Sequence, residues 1–264
     1  MDAPAHPEAI DPTLLMTAYR AGIFPMADGR HEDDVFWVEP RMRAILPLDG
    51  FRLSHSLART LRRDRFAVTC NAAFDAIIAA CAEAADDRRE TWISERIAAS
   101  YTMLHELGRA HSIECWTAGQ DGRPDLAGGL YGVGFDRVFC GESMFSRVSD
   151  ASKTALAWLV AALRRSGAKL LDCQFMTPHL ASLGAVEIPR DEYLARLREA
   201  QAVVGAGVSG LGVAGAGRGV GGSGGGDLRG DLPSGFAALL ADAEAAGLAS
   251  SPGKFIVQSL TQTS

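Results

Sequence analysis

VFCGESMFS (Val138 to Ser146) and KLLDCQF (Lys169 to Phe175) are strand-length apolar runs, each with a carboxylate set into it. Between them, SDASKTALAWLVAALRRSG (Ser149 to Gly167) reads as one helix: Ser149 or Asp150 can cap it, Ala155, Leu156, Leu159, Val160 and Leu163 form an apolar stripe, and Gly167 supplies the stop. A carboxylate inside a buried strand costs several kcal/mol unless it is paired, so such strands host chemistry or a polar network. The two polar strands are thus tied to a common helical scaffold.

Outward from this unit the pattern is regular. Upstream come a strand FAVTC, a helix AFDAIIAACAEA, a helix SERIAASYTMLHELG ended by Gly108, and strands HSIECWTA and DLAGGLYGVGF. Downstream come a short helix near His179 to Leu183 and a helix DEYLARLREAQ. Two helices, an antiparallel meander, a helix and a further strand make an α+β domain, in the order of an N-acetyltransferase-like (GNAT-like) acyltransferase fold. Residues 1–50, rich in proline and turn signals with a helix at Pro12 to Arg20, read as a small N-terminal subdomain, and 51–203 as the catalytic domain. Residues 204–231 read as a Gly-rich flexible linker, with thirteen glycines between Gly205 and Gly230, and 232–264 as a tail in which FAALLADAEAAGL suits a helix and FIVQSL a strand or docking segment. The linker contains VVGAGVSGLG, a G-x-G-x-x-G match at Gly205, Gly207 and Gly210; more glycine follows it, not a helix and parallel strands, so it does not read as a dinucleotide site.

With 264 residues, 47% of them hydrophobic, the chain can bury a full core. Its N-terminus lacks a basic stretch followed by an apolar run, and no segment nears eighteen uninterrupted apolar residues, which predicts a cytoplasmic protein with no membrane partner. The five cysteines are widely spaced and read as reduced core residues. A net charge of -6 argues against coating nucleic acid with the whole surface. A local patch stands out: Arg52, Arg59, Arg62, Arg63 and Arg65 against Asp64 alone, either a solvated helix face or a phosphate contact zone.

In an extended KLLDCQF strand, Asp172 and Gln174 share a face. The Asp172 carboxylate can then accept from the Gln174 amide and leave the amide oxygen for an incoming amine; the alternative is a buried pair satisfying loop backbone. GESMFS adds Glu142. Its Ser143 is outside any G-x-S-x-G motif, and there is no H-E-x-x-H or C-x-x-C, so neither a serine hydrolase nor a metal site is indicated. Trp92, Tyr101, Trp116 and Phe139 fit either an apolar pocket or the core.

GIFPM (Gly22 to Met26), TWIS (Thr91 to Ser94), LHELGRAHSIECW, GGLYGV (Gly128 to Val133), FCGESMFS, DASKTAL, LLDCQ and HLASLGAVEIPR with the following Tyr193 occur together and in order. In this the chain resembles the bacterial leucyl/phenylalanyl-tRNA–protein transferase family, from about Leu14 to Leu197. The resemblance implies transfer of Leu or Phe, less so Met, from aminoacyl-tRNA to the N-terminal amine of proteins beginning with Lys or Arg, which creates a degradation signal. Converting an ester to an amide is downhill, so no ATP, metal or organic cofactor is implied. The protein must orient two large substrates and stabilise a tetrahedral oxyanion.

Residue by residue, the resemblance makes Asp172 and Gln174 catalytic, Asp172 orienting Gln174, which positions the attacking amine. It places Glu142 near the acceptor, and Trp92, Tyr101, Leu130 and Phe139 around the terminal adenosine and the apolar side chain. Met26 stands where the family pattern often reads Trp, and a thioether packs on a base less strongly than an indole. Arg59, Arg62, Arg63 and Arg65, with Lys153, become contacts to the tRNA backbone. The family also suggests a monomer, and its shorter pattern has no counterpart of the Gly-rich tract and tail. Two other readings remain open: an acyl-CoA-dependent N-acyltransferase, for which no good pyrophosphate loop is present, and a non-catalytic tRNA-binding module.

Overall fold

In the computed structural model, residues 8–32, 34–83, 91–119, 121–202 and 231–262 are described. The expected Gly-rich linker lies almost wholly outside them. The N-terminal part opens with α1 (Pro12–Arg20), where Asp11 accepts from the Leu14 N–H at 2.9 Å and Pro12 starts the first turn, a cap and a first residue of the expected kinds. It continues into a hairpin of β1 (Phe24–Met26) and β2 (Phe36–Val38).

β3 (Met42–Ile45) then enters the main sheet, ahead of residue 50. The arginine segment forms α2 (His55–Arg62), and β4 (Ala67–Cys70), α3 (Phe74–Ala82) and α4 (Glu95–Glu106) follow. β5 (Ala110–Ala118), β6 (Pro124–Phe135) and β7 (Val138–Ser146) complete the meander; α5 (Ala151–Ser166) crosses over to β8 (Leu170–Gln174), and α6 (Pro178–Ser182), β9 (Val186–Pro189) and α7 (Arg190–Ala202) follow. Among the described residues the seven-stranded sheet has the order β4-β5-β6-β7-β8-β3-β9, and its one parallel pairing is β7 with β8. It is a mixed α+β fold with a small N-terminal part and a main sheet covered on both faces.

Two cores result. One lies beneath α5, and the other holds Leu15, Tyr19 and Phe24 from the N-terminal part with residues of α3, α4 and α7. The expected stripe of α5 is buried, but so is its opposite side, Ala157, Trp158, Ala161 and Ala162. The cover is α8 (Leu232–Ala245), whose Phe236 ring lies 5.2 Å from that of Trp158. Gly167 ends α5 in the left-handed region as expected, whereas Asp150 at the N-cap makes no capping bond: its carboxylate instead binds Lys153 and Thr60.

FIVQSL is not a strand. It belongs to α9 (Pro252–Thr261), which starts on a proline and buries Ile256, Val257 and Leu260 on one face. Gly253 allows the docking: a Cβ there would lie 2.1 Å from the Leu61 carbonyl oxygen, while its N–H donates to Asp64 at 2.7 Å. The tail is thereby seated on α2 and α5.

Candidate active site

β7 and β8 pair only from Val138↔Leu170 to Cys140↔Asp172 and then part. In the opening lies a cavity of about 730 Å³. Leu130, Met144, Leu156, Leu159, Leu171 and Leu180 give it an apolar wall on the α5 side, and Trp92, Tyr131, Glu142 and Gln174 line it as well. Where the backbone ladder ends, a side-chain bond takes over: Gln174 Nε2 donates to Glu142 Oε2 at 2.8 Å.

Glu142 reaches this position through a β-bulge. Tyr131 opposes Ser143 and Gly132 opposes Gly141, so Glu142 is the extra residue of β7. Phe139 and Met144 consequently both pack on the α5 side, which strict alternation forbids. Gly132 accommodates the kink, since a Cβ there would lie 2.2 Å from the Cys140 carbonyl oxygen. The bulge delivers the carboxylate to two phenol donors, Tyr19 at 2.7 Å from Oε1 and Tyr101 at 3.0 Å from Oε2, and because the two hydroxyls also bond each other, their two protons are shared among three contacts. Burial pushes the Glu142 carboxyl up to about 7 despite these three donors. Burial, with the Glu142 charge second, likewise raises the pKa of both phenols.

Asp172 lies one layer behind the cavity and is fully buried. Its partner is Arg43 of β3: Nε donates to Oδ1 at 2.9 Å and Nη2 to Oδ2, and Tyr193 also donates to Oδ2 at 3.0 Å. The guanidinium is sandwiched between Phe24 and Tyr193, 4.6 and 4.5 Å from the ring centroids. Burial works against the Arg43 charge, but the adjacent Asp172 carboxylate outweighs it and raises the pKa.

The expected contact between the Asp172 carboxylate and the Gln174 amide is replaced by another. Asp172 Oδ1 accepts the Gln174 backbone N–H at 2.8 Å, and the amide turns to Glu142. Gln174 has φ 61, a left-handed backbone rare for a non-glycine residue, and the Asp172 bond helps hold it there. Asp172 and Gln174 are therefore adjacent, linked through main chain.

Of the other expected residues, Leu130 and Trp92 line the cavity. Met26 is half-buried on β1, whose next residue, Ala27, donates its N–H to the Trp92 carbonyl at 3.3 Å. Tyr101 is fully buried behind two lining residues, Glu142, to which it bonds, and Tyr131, whose ring lies 5.4 Å away, and Phe139 is a core residue outside the cavity wall. Arg59, Arg62, Arg63 and Arg65 are exposed along and just after α2. Lys153 joins them at one edge, because Asp150 binds both Lys153 and Thr60 of α2, and Arg65 reaches the Ser149 carbonyl at 3.5 Å. Sequence reasoning missed Arg43, Tyr19 and, beyond Leu130, the other residues of the apolar wall; a charged residue inside the apolar MRAI run was the available signal for Arg43.

Comparison with known proteins decides the family. A profile described as Leucyl/phenylalanyl-tRNA protein transferase matches residues 45–198, and one described as its N-terminal domain matches residues 8–41. The chain belongs to the leucyl/phenylalanyl-tRNA–protein transferase family. A leucyl/phenylalanyl-tRNA–protein transferase of Novosphingobium aromaticivorans is 63% identical over 98% of both chains. One of Rhizorhabdus wittichii is 59% identical over 77% of this chain and 80% of its own. One of Ruegeria pomeroyi is 53% identical over 73% and 87%. The chain is accordingly a transferase enzyme, with aminoacyl-tRNA and protein as its substrate classes. Among the described residues, no helix is long and apolar enough to cross a membrane.

Proposed function

We propose that this enzyme moves leucine or phenylalanine, and methionine less well, from its tRNA to the N-terminal α-amine of proteins beginning with Lys or Arg, marking them for degradation. The observation that carries the reading is the junction in the opened sheet, where an apolar wall of Leu130, Leu156, Leu159 and Leu171 meets the polar pair Glu142 and Gln174. An apolar side chain that is not β-branched suits the wall, and one methylene is worth only about 1 to 3 kcal/mol there, so discrimination among Leu, Phe and Met is modest. Trp92 and Met26 hold the terminal adenosine.

The Gln174 amide has its donor end committed to Glu142, so its acceptor end is left for the amine. Asp172, fixed by Arg43, sets the main-chain turn that presents Gln174. The Glu142 carboxylate draws a cationic N-terminus towards the ester. The arginine edge of α2 with Lys153 takes the acceptor-stem phosphates. The parting of parallel β7 and β8 over a helical crossover fits an N-acetyltransferase-like catalytic domain. The enzyme acts as a monomer in the cytoplasm and needs no cofactor.

The test is transfer itself. The purified chain, given labelled Leu-tRNA and a peptide beginning with Arg, forms Leu-Arg-peptide, and a peptide beginning with Asp is left unmodified. Transfer from acetyl-CoA alone, or none, defeats this reading.

A further inference from the structure

The amine that attacks the ester must lose a proton, and the leaving ribose oxygen must gain one. Asp172 is closed to that traffic: it is fully buried, sits outside the cavity wall, and its oxygens are taken by Arg43, Tyr193 and the Gln174 N–H. The Gln174 amide is too weak a base. Glu142 differs on both counts. It lines the cavity, and its oxygens are met by two rotatable hydroxyls and an amide, with no cation among the described residues bonded to it.

We infer that the Glu142 carboxylate is the proton shuttle of the reaction, a catalytic base and then acid, as well as an attractor of the acceptor. This rests on the aminoacyl-transfer reading above. The neutral α-amine nitrogen attacks the ester carbonyl carbon, forming the C–N bond, and the carbonyl π pair moves onto oxygen. The N–H proton passes to Glu142. As the oxyanion collapses, the bond from carbon to the ribose oxygen breaks, and that oxygen takes the proton from Glu142, regenerating the carboxylate. Ester and amine become amide and alcohol with no other reactant consumed.

The surroundings suit both protonation states. The ionised form accepts from Gln174 and from whichever phenol is not donating to the other. When Glu142 is protonated, a hydroxyl can turn, because Tyr19 and Tyr101 also bond each other. The ionisable groups around Glu142 are Tyr19 of α1, Tyr101 of α4, Tyr131 of β6, Cys140 of β7 and Asp172 of β8, the last neutralised by Arg43 of β3. A carboxyl raised to about 7 is matched to proton transfer at neutral pH. Of the other ionisable groups lining the cavity, Glu83 is paired with Arg147 at 2.9 Å, and His179 lies beside Lys153 at the start of α5, its pKa lowered by burial and then by that lysine.

The experiment measures single-turnover transfer from Leu-tRNA to an Arg-peptide, both saturating, from pH 5.5 to 9, with each rate divided by the fraction of the peptide α-amine that is neutral at that pH, so that the amine's own titration drops out. The wild-type rate should rise tenfold per pH unit below about 7. Glu142→Gln, of the same shape, should lower the rate by about 10² to 10⁴-fold and erase that limb, with tRNA affinity retained. Formate should restore part of the rate in Glu142→Gly. The inference is overturned if Glu142→Gln raises only the peptide KM and keeps the limb, or if the limb disappears in His179→Gln instead. A wild-type chain that transfers nothing at any pH defeats the transfer reading itself, and this inference with it.

Discussion

Arg43 and Asp172, 129 positions apart in sequence, form a fully buried ion pair with both carboxylate oxygens engaged, Nε to Oδ1 at 2.9 Å and Nη2 to Oδ2. This joins β3, which directly follows the N-terminal part, to the strand that carries the site. Breaking one side of such a pair leaves an uncompensated buried charge, at a cost of about 3 to 5 kcal/mol. Arg43→Met should destabilise by that amount in urea unfolding, and adding Asp172→Asn should recover part of it. Asp172→Ala should abolish transfer yet leave tRNA affinity nearly intact.

Glu142 should leave its mark on stability as well as rate. Its carboxyl is raised from 4.5 to about 7, so the folded state holds the proton more tightly than the unfolded chain. The resulting stabilisation is full below pH 4.5 and is lost as pH rises through about 7, roughly 3 kcal/mol in all. His111 runs the other way: burial lowers it from 6.5 to about 4, so its contribution is lost as pH falls below 6.5. Subtracting the urea-unfolding stability of Glu142→Gln from wild type between pH 4.5 and 8 isolates the glutamate. A flat difference contradicts the assignment.

Tyr131 is fully buried beside the cavity, and its hydroxyl has no partner among the described residues. Removing an unsatisfied buried group without changing shape costs little or nothing. Tyr131→Phe should therefore unfold within about 1 kcal/mol of wild type, on the stable side. A decrease above that size would reveal a bond the hydroxyl makes.

The seat of α9 on α2 depends on Gly253 lacking a side chain. Gly253→Val should cost about 1 to 3 kcal/mol through forced separation of the two helices, read as a lower melting temperature and earlier proteolytic clipping near Ser251.

Replacing Arg62 and Arg63 together with Ala should weaken tRNA binding and flatten its salt dependence, by roughly one unit of log–log slope for each phosphate that is no longer neutralised. Transfer at saturating tRNA should be kept.

Much of this architecture is legible in the sequence because it rests on local periodicity. α5, its terminal Gly167, the meander and the apolar setting of Glu142 and Asp172 follow from spacings of 3.6 and 2. FIVQSL has the β-branched look of a strand, one of its two expected forms; it is instead the other, a docking segment, carried on a helix that opens on Pro252 and approaches α2 closely at Gly253. Arg43 was hidden in a four-residue strand whose partner lies far along the chain. The link between Asp172 and Gln174 was misread because alternation assumes a straight strand, while Gln174 turns at φ 61.

The bulge in β7 sets the fold and the site against each other. Without the extra residue, β7 would pair evenly with β6. Deleting one position there would give a more regular sheet, yet residues on one side of the deletion would exchange faces, and the carboxylate would leave its phenols. With Glu142 in the role proposed for it, the irregular strand is the form that permits catalysis, and a variant of β7 with a more regular sheet and no transfer is one deletion away.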